Sequence, residues 1–214
     1  MADPTNATEP EGPRLTVKGA ATRARIVDAA ARLIFEQGIA RTGVEDVQRA
    51  AGVSASQLYH YFADKQALVH AVVERQGQAV LDGQQPLLGQ LDSFEALAAW
   101  RDLLVDGQRQ RHSSGGCVIG SLASELAESD DHARQSLADS FARWQAHIRD
   151  GLTRMRDSGQ LRPDADPDRL ALALLAAVQG GLLLDQTRRD TAPLETALDA
   201  MIAHIHTFAP TESR

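Results

Sequence analysis

The stretch from Ala51 to Lys65, AGVSASQLYHYFADK, concentrates polar side chains of the kinds that contact nucleic acids. It holds both tyrosines of the chain and one of its two lysines. Hydroxyl, amide and imidazole groups can donate to phosphate oxygens or to the edges of bases. A helix that served only a hydrophobic core would need none of these groups. The residue types therefore indicate contact with DNA.

Two short helices must position these side chains. Thr42 and Glu45 have the spacing of a capping box that opens the first helix, and Ser54 and Gln57 have the same spacing at the start of the second. Gly52 lies between the helices, where a tight turn favours a residue that tolerates left-handed backbone. The pattern predicts a helix-turn-helix.

The second helix of this motif is too short to form a core of its own. Leu58 and Phe62 can anchor it inward, which leaves the intervening polar residues to project outward. A side chain on such a helix can reach base edges in the major groove, and a lysine after it can pair with phosphate. The predicted DNA-binding residues are Arg25, Thr42, Gly43, Val44, Ser54, Ala55, Ser56, Gln57, Tyr59, His60, Tyr61 and Lys65.

Several of these positions have two alternative roles. Gln57 can fold back as a helix cap or pair with adenine, and we expect capping in the free protein and base reading on DNA. Thr42 is a cap that can also contact phosphate. Tyr59 and Tyr61 point in different directions on a helix, so we expect Tyr59 to contact phosphate and Tyr61 to be partly buried.

The charge of the chain is unevenly distributed. The formal net charge is −7, yet residues 14–65 hold eight Lys and Arg against five Asp and Glu, and residues 66–214 hold fourteen Arg against twenty-one acidic residues. A basic segment beside an acidic one points to a polyanionic partner. The single cysteine excludes an intramolecular disulfide, and the sequence shows neither a signal peptide nor an unbroken membrane span. We therefore expect a cytoplasmic location and no membrane partner.

The remainder of the chain is predicted to be helical. Apolar residues recur at spacings of three and four, and no convincing alternating pattern suggests a strand. The predicted fold is all-α with about nine helices. Its predicted parts are a disordered tail over 1–17, a helix-turn-helix DNA-binding domain over 18–65, and an effector-binding and dimerisation domain over 66–214.

The segment RARIVDAAARLIFEQGIARTGVEDVQRAAGVSASQLYHYFADKQAL resembles the DNA-binding domain of the TetR family of transcriptional repressors. The match includes the first helix ending in Phe-x-x-x-Gly, the AGVS turn, the Leu-Tyr-x-Tyr-Phe motif and Lys65. Ser56 departs from the glycine or proline of many members, so the DNA sequence recognised cannot be transferred from them. The resemblance implies a homodimer on a palindromic operator, released by a small effector.

The family resemblance also implies that the last two long helices pair across a two-fold axis as a four-helix bundle. Gly181, with its neighbour Gly180, would let two helices approach closely in a leucine-rich segment. The predicted dimerisation residues are Leu174, Val178, Gly181, Leu182, Leu194, Leu198, Met201 and Ile205.

A cavity for the effector is predicted within the helices of residues 92–158, where large apolar side chains accompany few polar ones. Such a lining favours a mostly apolar ligand oriented by one or two hydrogen bonds. Cys117 has two alternative roles, a small buried residue at a helix start or a reactive thiol. The predicted pocket residues are Trp100, Leu104, Gln108, Cys117, Leu122, Glu125, Phe141, Trp144 and His147.

Enzymatic and metal-binding functions find little support in the sequence. His204 and His206 face different sides of a helix, and His112 with Cys117 supplies only two ligands. No Ser-His-Asp arrangement or phosphate-binding loop can be assigned. We predict no cofactor, no metal and no catalytic residue. The alternative function is a helical enzyme or a protein-interaction module that retains a vestigial DNA-binding head.

Overall fold

The computed structural model describes residues 15–210, which form nine α-helices and one short 3-10 helix and contain no strand. This confirms the predicted all-α fold. The helices are α1 Val17–Gln37, α2 Val44–Ala51, α3 Ala55–Tyr61, α4 Lys65–Asp82, α5 Phe94–Gln110, α6 Val118–Leu126, α7 Asp131–Asp157, α8 Pro167–Arg188 and α9 Ala192–His206, with the 3-10 turn at Leu87–Gln90.

The described residues fall into two compact units, one ending at Leu68 and the other beginning at Val69. We call them the head and the body. Of the predicted tail over 1–17, residues 1–14 lie outside the described residues. Val17 already belongs to α1, because the Thr16 hydroxyl accepts a hydrogen bond from the Gly19 N–H at 3.1 Å and caps the helix.

The head has a small apolar core of its own. Ile26 and Ala30 from α1, Val47 from α2 and Leu58 from α3 are all at most 1 % exposed. The guanidinium of Arg23 lies 5.2 Å from the ring centroid of Phe62, which makes a cation–π contact at the end of α3. This core fixes the orientation of α3, whose other faces are exposed.

The core of the body is built mainly by α8 packing against α7 and α9. Gly181 of α8 marks the closest approach, since a Cβ there would lie 2.7 Å from the Cα of Leu194 in α9. Gly151 of α7 similarly lies against the backbone oxygen of Leu91. Both positions therefore require glycine for steric reasons.

One helix within residues 15–210, α8, is long and apolar enough to cross a membrane by length and composition. In the structure, 44 % of the most apolar stretch of this helix is buried inside the body. Core helices of water-soluble proteins meet the same length and composition criteria, so this feature is weak evidence for a membrane span.

Candidate nucleic-acid interface

The turn between α2 and α3 sets the direction of the second helix. Gly52 adopts left-handed backbone, with φ 64° and ψ 41°, and ends α2. The N–H of Val53 donates to the carbonyl oxygen of Gln48 at 3.1 Å, which closes the turn. An L-residue with a side chain would be strained at position 52, so the glycine is explained by the backbone conformation.

Reciprocal hydrogen bonds between Ser54 and Gln57 cap the start of α3. The Gln57 N–H donates to Ser54 Oγ at 3.2 Å, and the Ser54 N–H donates to Gln57 Oε1 at 3.0 Å. Ser54 Oγ also lies 3.1 Å from Ser56 Oγ. This is the capping box that the spacing predicted, and it holds the Gln57 side chain beside the turn.

The outward faces of α3 are polar and accessible. Leu58 is fully buried, whereas Tyr59 is 53 % exposed. The other exposed residues of the helix and its cap are Ser54, Ala55, Ser56, Gln57 and His60. Because these groups share one short helix, they form a continuous surface, which we call the α3 face. It has the donors and acceptors needed for base edges and phosphates.

Three predicted DNA-binding residues make contacts inside the head. Arg25 Nε donates to the carbonyl oxygen of Ala51 at 2.9 Å, and Lys65 Nζ donates to that of Ile39 at 2.8 Å. Tyr61 is half-buried, and its hydroxyl oxygen lies 3.5 Å from where a Cβ on Gly19 would be. These contacts position the helices of the head, and a role on DNA for the three residues stays a prediction.

The start of α2 differs from the predicted capping box. The cap residue is Gly43, whose N–H donates to Asp46 Oδ2 at 3.2 Å, so Glu45 has no part in it. Thr42 is buried, and its hydroxyl donates to the carbonyl oxygen of Gly38 at 2.8 Å. The predicted cap at Thr42 is therefore wrong. Its hydroxyl is directed into the head, while Gly43 and Val44 are half-buried beside it.

The predicted pocket residues are distributed between the interior and the surface of the body. Trp100, Gln108, Leu122 and Trp144 are buried. Four others, Leu104, Cys117, Phe141 and His147, are half-buried. Glu125 is exposed on α6, and its place in a pocket stays a prediction.

Four buried side-chain atoms in the body have no hydrogen-bond partner among residues 15–210: Gln108 Oε1, Trp144 Nε1, Gln179 Nε2 and Asp185 Oδ2. The first two belong to predicted pocket residues. Trp100 differs, because its Nε1–H donates to Gln84 Oε1 at 2.9 Å. Buried polar groups are normally satisfied, so an unpaired acceptor and an unpaired donor are unusual in a helical core.

Cys117 lies at the cap position of α6. Burial raises the pKa of its thiol above the ordinary value, while the backbone at Gly120 opposes the shift. The net direction disfavours the thiolate, which is the reactive form. Of the two alternatives, this direction of the pKa favours a structural residue over a reactive thiol, at a position that is half-buried. Among the described residues, no group of three or more potential ligands could hold a metal ion.

The predicted dimerisation residues are mostly enclosed within one chain. Leu174, Val178, Leu194, Leu198 and Ile205 are 0 % exposed, and Gly181 and Leu182 are buried as well. Within the body, Gly181 of α8 lies against Leu194 of α9. Side chains enclosed in this way present little surface to a second copy. Met201 is half-buried. For the seven enclosed residues, the three-four periodicity marks the intramolecular core, and burial argues against a place in the seam. A role of Met201 in dimerisation stays a prediction.

A different face of α8 is accessible and was missed from the sequence. Leu172, Leu183 and Leu184 are 56 %, 63 % and 46 % exposed, and a Cβ added at Gly180 would meet open space. The run Leu182-Leu183-Leu184 could have indicated this exposed face. Consecutive residues point to different sides of a helix, and a helix usually buries only one side against its neighbours. We call these exposed leucines, with Gly180, the α8 outer face.

Comparisons with known proteins match both units of the chain. Residues 26–72 match the family model described as bacterial regulatory proteins, tetR family. Residues 93–201, half of the chain, match that described as tetracyclin repressor-like, C-terminal domain.

Individual relatives cover most of the chain. The transcriptional regulator AcuR of Cereibacter sphaeroides is 27 % identical over 86 % of this chain and 81 % of its own length. The HTH-type transcriptional repressor DhaR of a Mycobacterium species is 27 % identical over 82 % of this chain and 88 % of its own. A TetR transcriptional regulator from Chloroflexus aurantiacus superposes with a TM-score of 0.77 at 25 % identity, covering 91 % of this chain and 98 % of that one. With an exposed α3 face on a helix-turn-helix and family matches in both units, the chain belongs to the TetR family of transcriptional regulators and is a DNA-binding regulator, not an enzyme.

Proposed function

We propose that the protein is a cytoplasmic repressor that binds a palindromic operator as a homodimer and is released by a small, mostly apolar effector. The observation that carries the proposal is the α3 face, which presents amide, hydroxyl and imidazole groups on a segment with a net positive charge. The relative DhaR is described as a repressor, which supports this direction of regulation.

A homodimer accounts for the α8 outer face. Leu183 alone exposes 63 % of its surface, and three exposed leucines on one helix are costly to leave in water. A second copy related by a two-fold axis would cover the same face on both chains. Two heads related by that axis would read a sequence with the same symmetry, which is why we propose a palindromic operator.

An effector site in the body accounts for the unpaired Gln108 Oε1 and Trp144 Nε1. A ligand with one donor and one acceptor would satisfy both groups. Asp185 is the one fully buried charged residue among those described, and its carboxylate accepts a hydrogen bond from the Leu194 N–H at the start of α9. A charged ligand would therefore lack a buried counter-ion, which favours a neutral molecule.

DNA binding is tested by selecting bound fragments from a random DNA pool with the full-length protein. We expect enrichment of a palindrome, and a binding constant for it that falls steeply as salt increases, because each phosphate contact releases a counter-ion. Enrichment of no sequence, or affinity that does not depend on salt, would contradict the proposal.

Effector release is tested by titrating neutral aromatic compounds into the protein with and without the selected operator. A ligand that prefers the DNA-incompetent conformation must bind more weakly when operator is present, and by the same factor must weaken operator binding. Equal affinities in the two titrations would exclude that compound as the effector. The variant Trp144→Phe removes the indole N–H. It should bind the effector more weakly if the ligand accepts a hydrogen bond from that group.

A further inference from the structure

We propose that Gln57 caps α3 with its amide oxygen and reads guanine with its amide nitrogen, both at the same time. The inference rests on the proposed function, since it requires the α3 face to lie in the major groove of an operator. It replaces the expectation that Gln57 caps the helix only in the free protein and pairs with adenine on DNA.

The capping box fixes which end of the Gln57 amide is available. The Ser54 N–H can only donate, so the side-chain atom that it contacts at 3.0 Å must be the amide oxygen. The amide nitrogen is then the other terminal atom. No residue among 15–210 accepts a hydrogen bond from Gln57 Nε2, and the side chain is exposed. Gln57 therefore offers two N–H donors to a partner outside the chain.

The surroundings hold the amide in this orientation. The Gln57 N–H donates back to Ser54 Oγ, so two hydrogen bonds link the residues. Ser56 Oγ lies 3.1 Å from Ser54 Oγ, so these two hydroxyl groups also share a hydrogen bond. Leu58, fully buried, fixes the helix from its inner side. The donor pair is preorganised, and no rotamer change is needed on binding.

The base edges of the major groove differ in how well they match a pair of donors. Guanine presents two adjacent acceptors, O6 and N7, whereas adenine places a donor beside N7, thymine places a methyl group beside O4, and cytosine presents a donor. The usual pairing of glutamine with adenine uses the amide oxygen as acceptor for the N6 donor. Here that oxygen is directed to the Ser54 backbone. Guanine is therefore the base that this amide fits best.

The variant Gln57→Glu distinguishes helix capping from base recognition. A glutamate carboxylate accepts from the cap N–H as glutamine does, so Gln57→Glu keeps the capping box but replaces both donors with an acceptor. Gln57→Ala removes both functions. In selections from a random pool with full-length protein, the native chain should enrich guanine at one position of each half-site. Gln57→Glu should enrich cytosine there, and Gln57→Ala should enrich no base at that position.

Modified bases test the individual atoms. Replacing the selected guanine with 7-deazaguanine removes the N7 acceptor and should weaken the native protein about tenfold, while leaving Gln57→Ala unaffected. Inosine keeps O6 and N7 and should bind the native protein as guanine does. Thermal unfolding of each variant checks that the head remains folded.

The outcomes that overturn the inference are distinct. An identical motif for the native chain and Gln57→Glu would show that Gln57 only caps. Adenine at the position lost in Gln57→Ala would show that the amide oxygen leaves the cap to read DNA. A native chain that enriches no sequence would contradict the proposed function itself.

Discussion

The backbone N–H of Leu194 donates to the carboxylate of Asp185 at 2.9 Å, which ties the start of α9 to α8. The second carboxylate oxygen, Asp185 Oδ2, is buried and has no partner among residues 15–210. Burial raises the pKa of Asp185 above its ordinary value, and the nearby Asp190 and Glu195 raise it further. The hydrogen bond from Leu194 opposes this shift.

Asp185→Asn should change how stability depends on pH. A raised pKa in the folded state means that the folded chain holds the proton more tightly, so the free energy of unfolding falls as pH rises through the window between the unfolded and folded pKa values. Asparagine cannot titrate and still offers Oδ1 to Leu194. Denaturant unfolding at fixed protein concentration, from about pH 3.9 to neutral pH, should show the native chain losing stability relative to the variant. Parallel curves would contradict the assignment.

Leu183→Asp should disrupt the proposed homodimer with little effect on the folding of the single chain. Leu183 is 63 % exposed, whereas Leu198 is 0 % exposed, so the two positions separate association from folding. Leu198→Asp should lower the free energy of unfolding by about 3 kcal/mol or more, because it buries an unpaired charge. Sedimentation velocity and thermal unfolding measure the two effects.

Leu103→Asp is the matched control for Leu183→Asp. Leu103 is also exposed, at 37 %, but it lies on α5. This variant should sediment like the native protein. A Leu183→Asp chain that still sediments as a dimer would place the interface elsewhere.

Tyr59→Phe should weaken DNA binding without altering sequence preference. Its side chain is 53 % exposed on α3, and we expect its hydroxyl to donate to a phosphate oxygen. Loss of a hydrogen bond to a charged group costs about 1.5–3 kcal/mol, or roughly tenfold to a hundredfold in affinity. The same factor should appear for the selected operator and for unrelated DNA in a binding titration. A change in the selected motif would instead assign Tyr59 to base reading.

Cys117 should react slowly with thiol reagents at neutral pH. Burial raises its pKa, so the thiolate fraction is lower than for a free cysteine and grows only at higher pH. Reaction with a chromogenic disulfide should be slow in the folded protein, should accelerate with rising pH, and should become rapid in denaturant. Rapid labelling of the folded chain at pH 7 would restore the alternative of a reactive thiol.

Much of the architecture could be predicted because its local signals agree with the final structure. The Ser54–Gln57 capping box formed as its spacing indicated, and the left-handed turn formed at Gly52 where the sequence predicted it. The start of α2 was harder to predict, because Thr42 and Glu45 have the spacing of a capping box while Gly43 and Asp46, one residue further on, form the cap. The Thr42 hydroxyl instead donates to the carbonyl oxygen of Gly38.

The dimerisation residues were also difficult to predict from local sequence patterns. A three-four periodicity such as that of Leu194 and Leu198 shows that a helix has an apolar side, but it does not say whether that side meets the same chain or another. The structure resolves this by burial, since both residues are enclosed within the body. The accessible Leu183 shares a helix with buried residues, and only the packing of α8 against α7 and α9 distinguishes them.

Tyrosine and tryptophan are divided between the two units. Both tyrosines, Tyr59 and Tyr61, belong to the head, and both tryptophans, Trp100 and Trp144, are buried in the body. Tryptophan emission excited at long wavelength therefore reports on the body alone, while difference absorbance of tyrosine contains the signal from the head. Unfolding of the two units can be followed separately in one unlabelled sample, which would show whether they melt together or in sequence.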